Sequence, residues 1–157
     1  MGKVIDVRLV TAPEDIINAF NIREKVFIKE QRIDREEEFD KWDESSRQLL
    51  AFHTGTPCGT ARWRMTDEGA KLERFSVLPD FRREKVGTAL IRGVVKDVRE
   101  KEGSVRMFLN AQVKVLEFYS KEGFKPVGEI FMECGIPHQV MEFSNEETLP
   151  SEEFPGR

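Results

Sequence analysis

The sequence predicts an α/β domain, one mixed sheet with helices on both faces, and three observations carry this. Short runs rich in β-branched and aromatic residues recur between tight-turn sequences. An apolar stripe of helical period runs through residues 84–101, and a short apolar strand follows it, as in a parallel crossover. The chain has 157 residues, enough for one core, and 39% hydrophobic with 34% charged residues is the composition of a folded, well-solvated domain.

Each element follows from local pattern. KVIDVRLV (3–10) alternates and reads as a strand. APEDIINAFNIREKVFIKEQ (12–31) reads as a helix, with Pro13 near its start and Ile16, Ile17, Phe20, Val26 and Phe27 at helical spacing. The acidic stretch RIDREEEFDKWDESSR (32–47) is a polar connection with room for a short second helix. QLLAFHT, GTARWRMT and KLERFSVLP then form an antiparallel meander, with GTPC and DEGA between them as tight turns. The long helix from Glu84 to Lys101 carries Val86, Leu90, Val94 and Val98 on one stripe and stops at Gly103. VRMFLNA is a buried strand, VKVLEFYSKEGF a short helix, and KPVGEIFME with QVMEF a closing hairpin around CGIPH. The domain is placed at residues 1–143, with an acidic tail over 144–157.

Composition excludes some functions. A net charge of −4 argues against a general nucleic-acid binder. No apolar run is long enough to span a bilayer, and MGKVIDVRLV lacks the apolar core of a signal peptide. Cys58 and Cys134 are distant and lack His partners at ligand spacing, so a cytoplasmic chain with reduced thiols and no metal is expected.

One feature runs against helix physics. Arg82, Arg83 and Lys85 crowd the N-terminus of the long helix, where the dipole favours anions. The bland reading is a solvated basic turn with Glu84 as partial compensation. The functional one is that a diphosphate belongs there, held by backbone N–H groups and these cations, with Gly87 allowing close approach. In such a fold the site is a crevice at the carboxyl ends of parallel strands, here those ending near Val77 and Ala111.

VLPDFRREKVGTAL (77–90) resembles the acyl-CoA binding motif of the GNAT N-acetyltransferases, with Arg82 on the motif arginine, Gly87 on its second glycine and Lys85 in place of the first. LNAQVKVLEFYSKEGF (109–124) resembles that family's later strand-to-helix segment. IREKVFIKEQ and GIPH look like the small bacterial ElaA-like and YjcF-like members. The resemblance implies the acyl-CoA N-acyltransferase fold, a mixed six- to seven-stranded sheet whose central strands splay apart. It implies acetyl-CoA as donor, with Arg82, Arg83, Glu84, Lys85, Val86, Gly87 and Thr88 around its pyrophosphate. Phe75, Ser76 and Val77 would pair with the pantetheine arm, and the Phe75 N–H would polarise the thioester carbonyl. Gln112 would hold the arm from the other side.

Direct transfer to an amine in a ternary complex also needs proton carriers. Tyr119, the single tyrosine, is the candidate acid for the departing thiolate, against a plain core role beside Phe118 and Phe124. Glu73, two residues before Phe75 and so expected on its face, is the candidate base. His138 is a rival base or a pocket-lining residue, and Asp40 and Asp43 beside Trp42 would suit a cationic acceptor. The acceptor is expected to be a small-molecule or peptide amine, and exposed strands could pair two copies into a homodimer. A non-catalytic acyl-CoA sensor is the alternative, and an acidic protein-interaction module using the 35–44 loop and the tail a third.

Overall fold

The computed structural model describes residues 4–144. The expected acidic tail lies outside these residues except for Ser144. β1 (Ile5–Leu9) leads to α1 (Pro13–Arg23), which runs on as a π-helical segment, Glu24–Glu30. A one-turn α2 (Arg35–Glu38) and a 3₁₀ turn (Lys41–Asp43) follow. The meander is β2 (Arg47–His53), β3 (Thr56–Thr66) and β4 (Gly69–Val77). Then come α3 (Val86–Glu102), β5 (Met107–Gln112), α4 (Leu116–Lys121), β6 (Phe124–Glu133) and β7 (Ile136–Phe143).

The seven strands form one sheet in the order β1-β2-β3-β4-β5-β7-β6. Only β4 and β5 are parallel, joined by α3 as the crossover. Their pairing covers Ala70–Leu72 against Met107–Leu109 and then stops. Past that point β4 keeps its bonds to β3 and β5 its bonds to β7, so the sheet opens as a V between them.

The α3 stripe read from the sequence is the centre of the larger core. Val86, Leu90, Val94 and Val98 are all buried against Trp63, Leu72 and Leu109. Each such side chain contributes about 1.5–3 kcal/mol by leaving water. The helix lies so close to β3 that a Cβ on Gly59 would sit 2.9 Å from Leu90 Cδ1 and 3.0 Å from the Ser76 carbonyl oxygen. Asp97, on another face of α3, accepts from Trp63 Nε1 and Arg47 Nε, both at 2.8 Å, and ties the helix to β2 and β3.

The first helix corrects its expected face. Ile16 and Ile17 are exposed, while Asp15, Ala19, Ile22, Arg23 and Val26 are buried. The spacing is helical, but two of the inward residues are charged, which hid the true stripe from a count of apolar positions. The expected turns also move slightly. The first hairpin reverses at Thr54–Gly55, both at positive φ, and Pro57 and Cys58 already belong to β3. Among the described residues no helix is long and apolar enough to cross a membrane.

Candidate active site

The start of α3 leaves its backbone N–H groups uncapped. The first helical bond runs from Ala89 N to Lys85 O at 3.1 Å, so the N–H groups of Val86, Gly87 and Thr88 precede it, and no side chain caps them. Arg83 and Lys85 are exposed beside them. Lys85 occupies the left-handed region, φ 70° and ψ 18°, which is glycine's usual conformation at such a point. Lysine thus reaches the geometry of the motif glycine at the expense of backbone strain. Lys85→Gly is expected to stabilise the protein by about 0.5–1 kcal/mol, relief of about 1–2 kcal/mol of strain exceeding the extra entropy of an unfolded glycine. A urea midpoint that does not rise would show that lysine contacts offset the strain. Gly87 has a packing role too, since a Cβ there would come within 3.3 Å of the Phe118 ring.

Arg82 does not extend its guanidinium to this helix start. Its Nη1 and Nη2 donate to Glu30, both at 2.8 Å, and its Nε donates to the Val77 carbonyl oxygen at 2.8 Å. It clips the end of the π-helical segment to the end of β4. Glu84 lies with its Oε1 3.6 Å from His53 Nε2.

In β4, the ladder to β3 pairs Thr60 with Ser76 and Arg62 with Glu73, so Arg74 and Phe75 together face Ala61. This is a β-bulge, with Arg74 at φ 64°. It carries one structural correction. The extra residue breaks the alternation, so Phe75 packs on the α3 side with Leu72 and Val77, whereas Glu73 faces the α1 side. Glu73 and Phe75 do not share a face.

On the α1 side a closed charge network forms. Arg62, fully buried, donates to Glu73 (2.9 Å), Asp40 (2.9 and 3.0 Å) and Asp43 (2.6 Å). Arg23, also fully buried, donates to Glu38 (2.8 Å) and Asp43 (2.7 Å). Arg74 reaches back from the bulge to Asp40 and to the carbonyl oxygens of Glu37 and Glu38. Burial pushes Asp40, Asp43 and Glu73 up, but the adjacent guanidinium groups win and hold all three below the usual carboxylate range. For Glu38 burial wins and raises it.

Two expectations change as a result. Asp40 and Asp43 are engaged by arginines rather than presented to a cationic acceptor. The Trp42 ring is faced by Arg64 and Lys41, at 4.4 and 4.8 Å, so its cation–π partners also come from the protein. Glu73 bonds Arg62, Arg64 and Lys71, which makes it an ionised anchor and a weak base.

The remaining candidates lie on different elements around the end of β5. Tyr119 is buried, with Phe75, Phe118 and Phe124 edge-on at 4.9–6.0 Å. Its hydroxyl makes no hydrogen bond among the described residues, and burial pushes the phenol above its ordinary value. Gln112, the last residue of β5, donates to Gln31 at 2.9 Å on the α1 side. His138 is its cross-strand partner, buried and stacked on Phe131. The His138 Nδ1 lies 2.7 Å from the Ile136 carbonyl oxygen, which requires N–H there and leaves Nε2 as the basic nitrogen of the neutral ring.

These features fit a coenzyme with a diphosphate and an extended amide arm: uncapped N–H groups, exposed cations and a strand edge that its neighbour has left. The sequence reading missed Arg62, Arg64 and Arg74. A usable signal was present, since an acidic segment at 35–44 needs basic partners and ARWR puts two arginines on one strand face.

Comparison with known proteins agrees. A family model described as an acetyltransferase (GNAT) domain matches residues 13–145. An N-acetyltransferase of Bacillus subtilis named YjcF, described as uncharacterized, is 37% identical over 129 residues, 82% of this chain and 91% of its own length. The crystal structure of Escherichia coli ElaA superposes with a TM-score of 0.80 at 25% identity, over 90% of this chain and 100% of that one. A GNAT family acetyltransferase from Elizabethkingia anophelis, solved with acetyl-CoA bound, has a TM-score of 0.68 at 16% identity, over 88% of this chain and 97% of its own.

Proposed function

The chain belongs to the GNAT acetyltransferase family, and from that premise we propose that it moves an acetyl group from acetyl-CoA directly onto a primary amine while both are bound. The observation that carries this reading is the V between β4 and β5 beside an uncapped helix start. Bound there, acetyl-CoA supplies an acetyl group already activated as a thioester.

The protein's own groups do the rest. The N–H groups of Val86, Gly87 and Thr88, with Arg83 and Lys85, hold the diphosphate. Phe75, Ser76 and Val77 offer backbone hydrogen bonds to the amide arm, and the N–H of the bulged Phe75 is available to the acetyl carbonyl oxygen. Tyr119 Oη keeps a proton for the sulfur, and its raised affinity means that the proton is always present at neutral pH. His138 Nε2 takes the amine proton, directly or through water. Glu73, Asp40 and Asp43 keep the arginine network, and with it the bulge, in shape.

Acetyl-CoA at a hundred times its Kd should stabilise the protein by about 2.7 kcal/mol, read as a thermal shift. Free thiol should then appear with some member of an amine panel. No shift would end the reading. A shift without thiol release from any amine would make the protein an acyl-CoA-binding domain. Reversing charge at Arg83 and Lys85 should weaken acetyl-CoA far more than dephosphorylated adenosine fragments.

A further inference from the structure

β4 and β5 part after Leu72 and Leu109, and by Val77 and Gln112, where the two strands end, no ladder bond joins them among the described residues. Each lip of the V keeps only its outer neighbour, β3 for β4 and β7 for β5. A strand edge binds an extended chain at a fixed spacing of about 4.8 Å, so a gap that receives an amide arm must be held at constant width. On the α3 face, Tyr119 of α4 meets Phe75 of β4 with ring centroids 6.0 Å apart. On the α1 face, two consecutive residues, Glu30 and Gln31, bridge the open end.

Glu30 serves the β4 lip. It accepts from Arg82 Nη1 and Nη2, both at 2.8 Å, as a bidentate fork, and Arg82 Nε donates to the carbonyl oxygen of Val77 at 2.8 Å. Gln31 serves the β5 lip, its Oε1 accepting from Gln112 Nε2 at 2.9 Å. Glu30 also feels both lips electrostatically. The Arg82 hydrogen bond, against burial, holds it below the usual carboxylate range, and the charges of Arg82 and of Lys114, just past β5, act in the same direction.

The helix suits this reach. Consecutive helical residues point in different directions around the axis, so neighbours in sequence can address strands on opposite sides of a gap. The segment is π-helical, closed by the Gln31 N–H on the Val26 carbonyl oxygen at 3.1 Å, a form frequent at functional sites. Its Val26 and Phe27 pack in one cluster with Leu50, Phe52 and Leu78, and Leu78 directly follows the β4 lip. We propose that Glu30 and Gln31 form a crossbar that fixes the separation of the two lips before the cofactor enters, and so prepares the gap for the pantetheine arm. They are positioning residues, acting through Arg82, Val77 and Gln112. The Arg82–Glu30 pair is 40% and 42% exposed, so its effect is modest, and it works by ordering the lips in the free protein rather than at the moment of binding. This inference rests on the acetyl-CoA reading above.

The test is calorimetry of the full chain with CoA and with adenosine 3′-phosphate 5′-diphosphate, the nucleotide without the arm. The readout is the ratio of the two affinities, in which changes at the helix start largely cancel. Gln31→Ala, which alters no charge, should lower the preference for CoA by about twofold, and Glu30→Ala added to it by about threefold or more in total. Gln31→Glu, which keeps an acceptor for Gln112, should retain the preference. Should the double variant be too unstable to titrate, Gln31→Ala decides alone. An unaltered or raised preference, an equal fall in Gln31→Glu, or a wild-type protein that binds both ligands equally overturns the proposal. If acetyl-CoA still shifts the melting temperature and amines still release thiol in that event, the transferase reading stands alone. If neither ligand binds the wild-type protein, both fall together.

Discussion

Arg62→Ala is expected to lower the free energy of unfolding by about 3–5 kcal/mol, the largest loss from any single side chain in the network. The reason is not the strength of one ion pair. Arg62 is fully buried and donates to three carboxylates, so its removal leaves Glu73, Asp40 and Asp43 short of their common partner inside the protein. Whole domains are stable by only about 5–15 kcal/mol, so the variant should unfold at much lower urea. Arg62→Lys keeps the charge but loses the planar fork that reaches several acceptors, and should lie between the two. A loss below about 1 kcal/mol for the alanine variant would mean that water reaches these carboxylates readily and that the network is not closed. The effect should extend to the site, because Asp40 also holds Arg74 at the bulge.

The second large effect is on turnover. Tyr119→Phe should reduce kcat by about 10²-fold or more while leaving acetyl-CoA affinity nearly unchanged. The substitution keeps the edge-on ring contacts with Phe75, Phe118 and Phe124 and breaks no protein hydrogen bond. Its effect on stability should therefore be small, and steady-state kinetics beside a cofactor titration separate the two. Unchanged kcat would reduce Tyr119 to a core aromatic.

Much of the fold was legible because it rests on local pattern. The α3 stripe, the three-stranded meander and the crossover into β5 are written in periodicities of 3.6 and 2 and in turn residues. The cationic helix start was legible as well, and Arg83 and Lys85 do stand exposed beside its uncapped N–H groups. The roles of the charged residues were not. Glu73 was expected beside Phe75 on the rule of alternation, and one extra residue at Arg74 turned it to the other face. Asp40 and Asp43 looked like open carboxylates, yet their partners lie 19 to 22 residues away in β3 and 20 residues back in α1. The left-handed turn at Lys85 was hidden for a related reason, since lysine does not advertise a positive φ.

By itself, then, the sequence determined the order of elements, the long helix with its buried stripe and the cation-flanked start of that helix, because each depends on neighbours within a turn or two of chain. Only the tertiary structure decided which carboxylates are paired, which face of β4 each side chain takes, and where the β4–β5 pairing ends and the V opens. Those outcomes depend on contacts between residues far apart in the chain, and a single bulge changes them without altering the local pattern that a sequence displays.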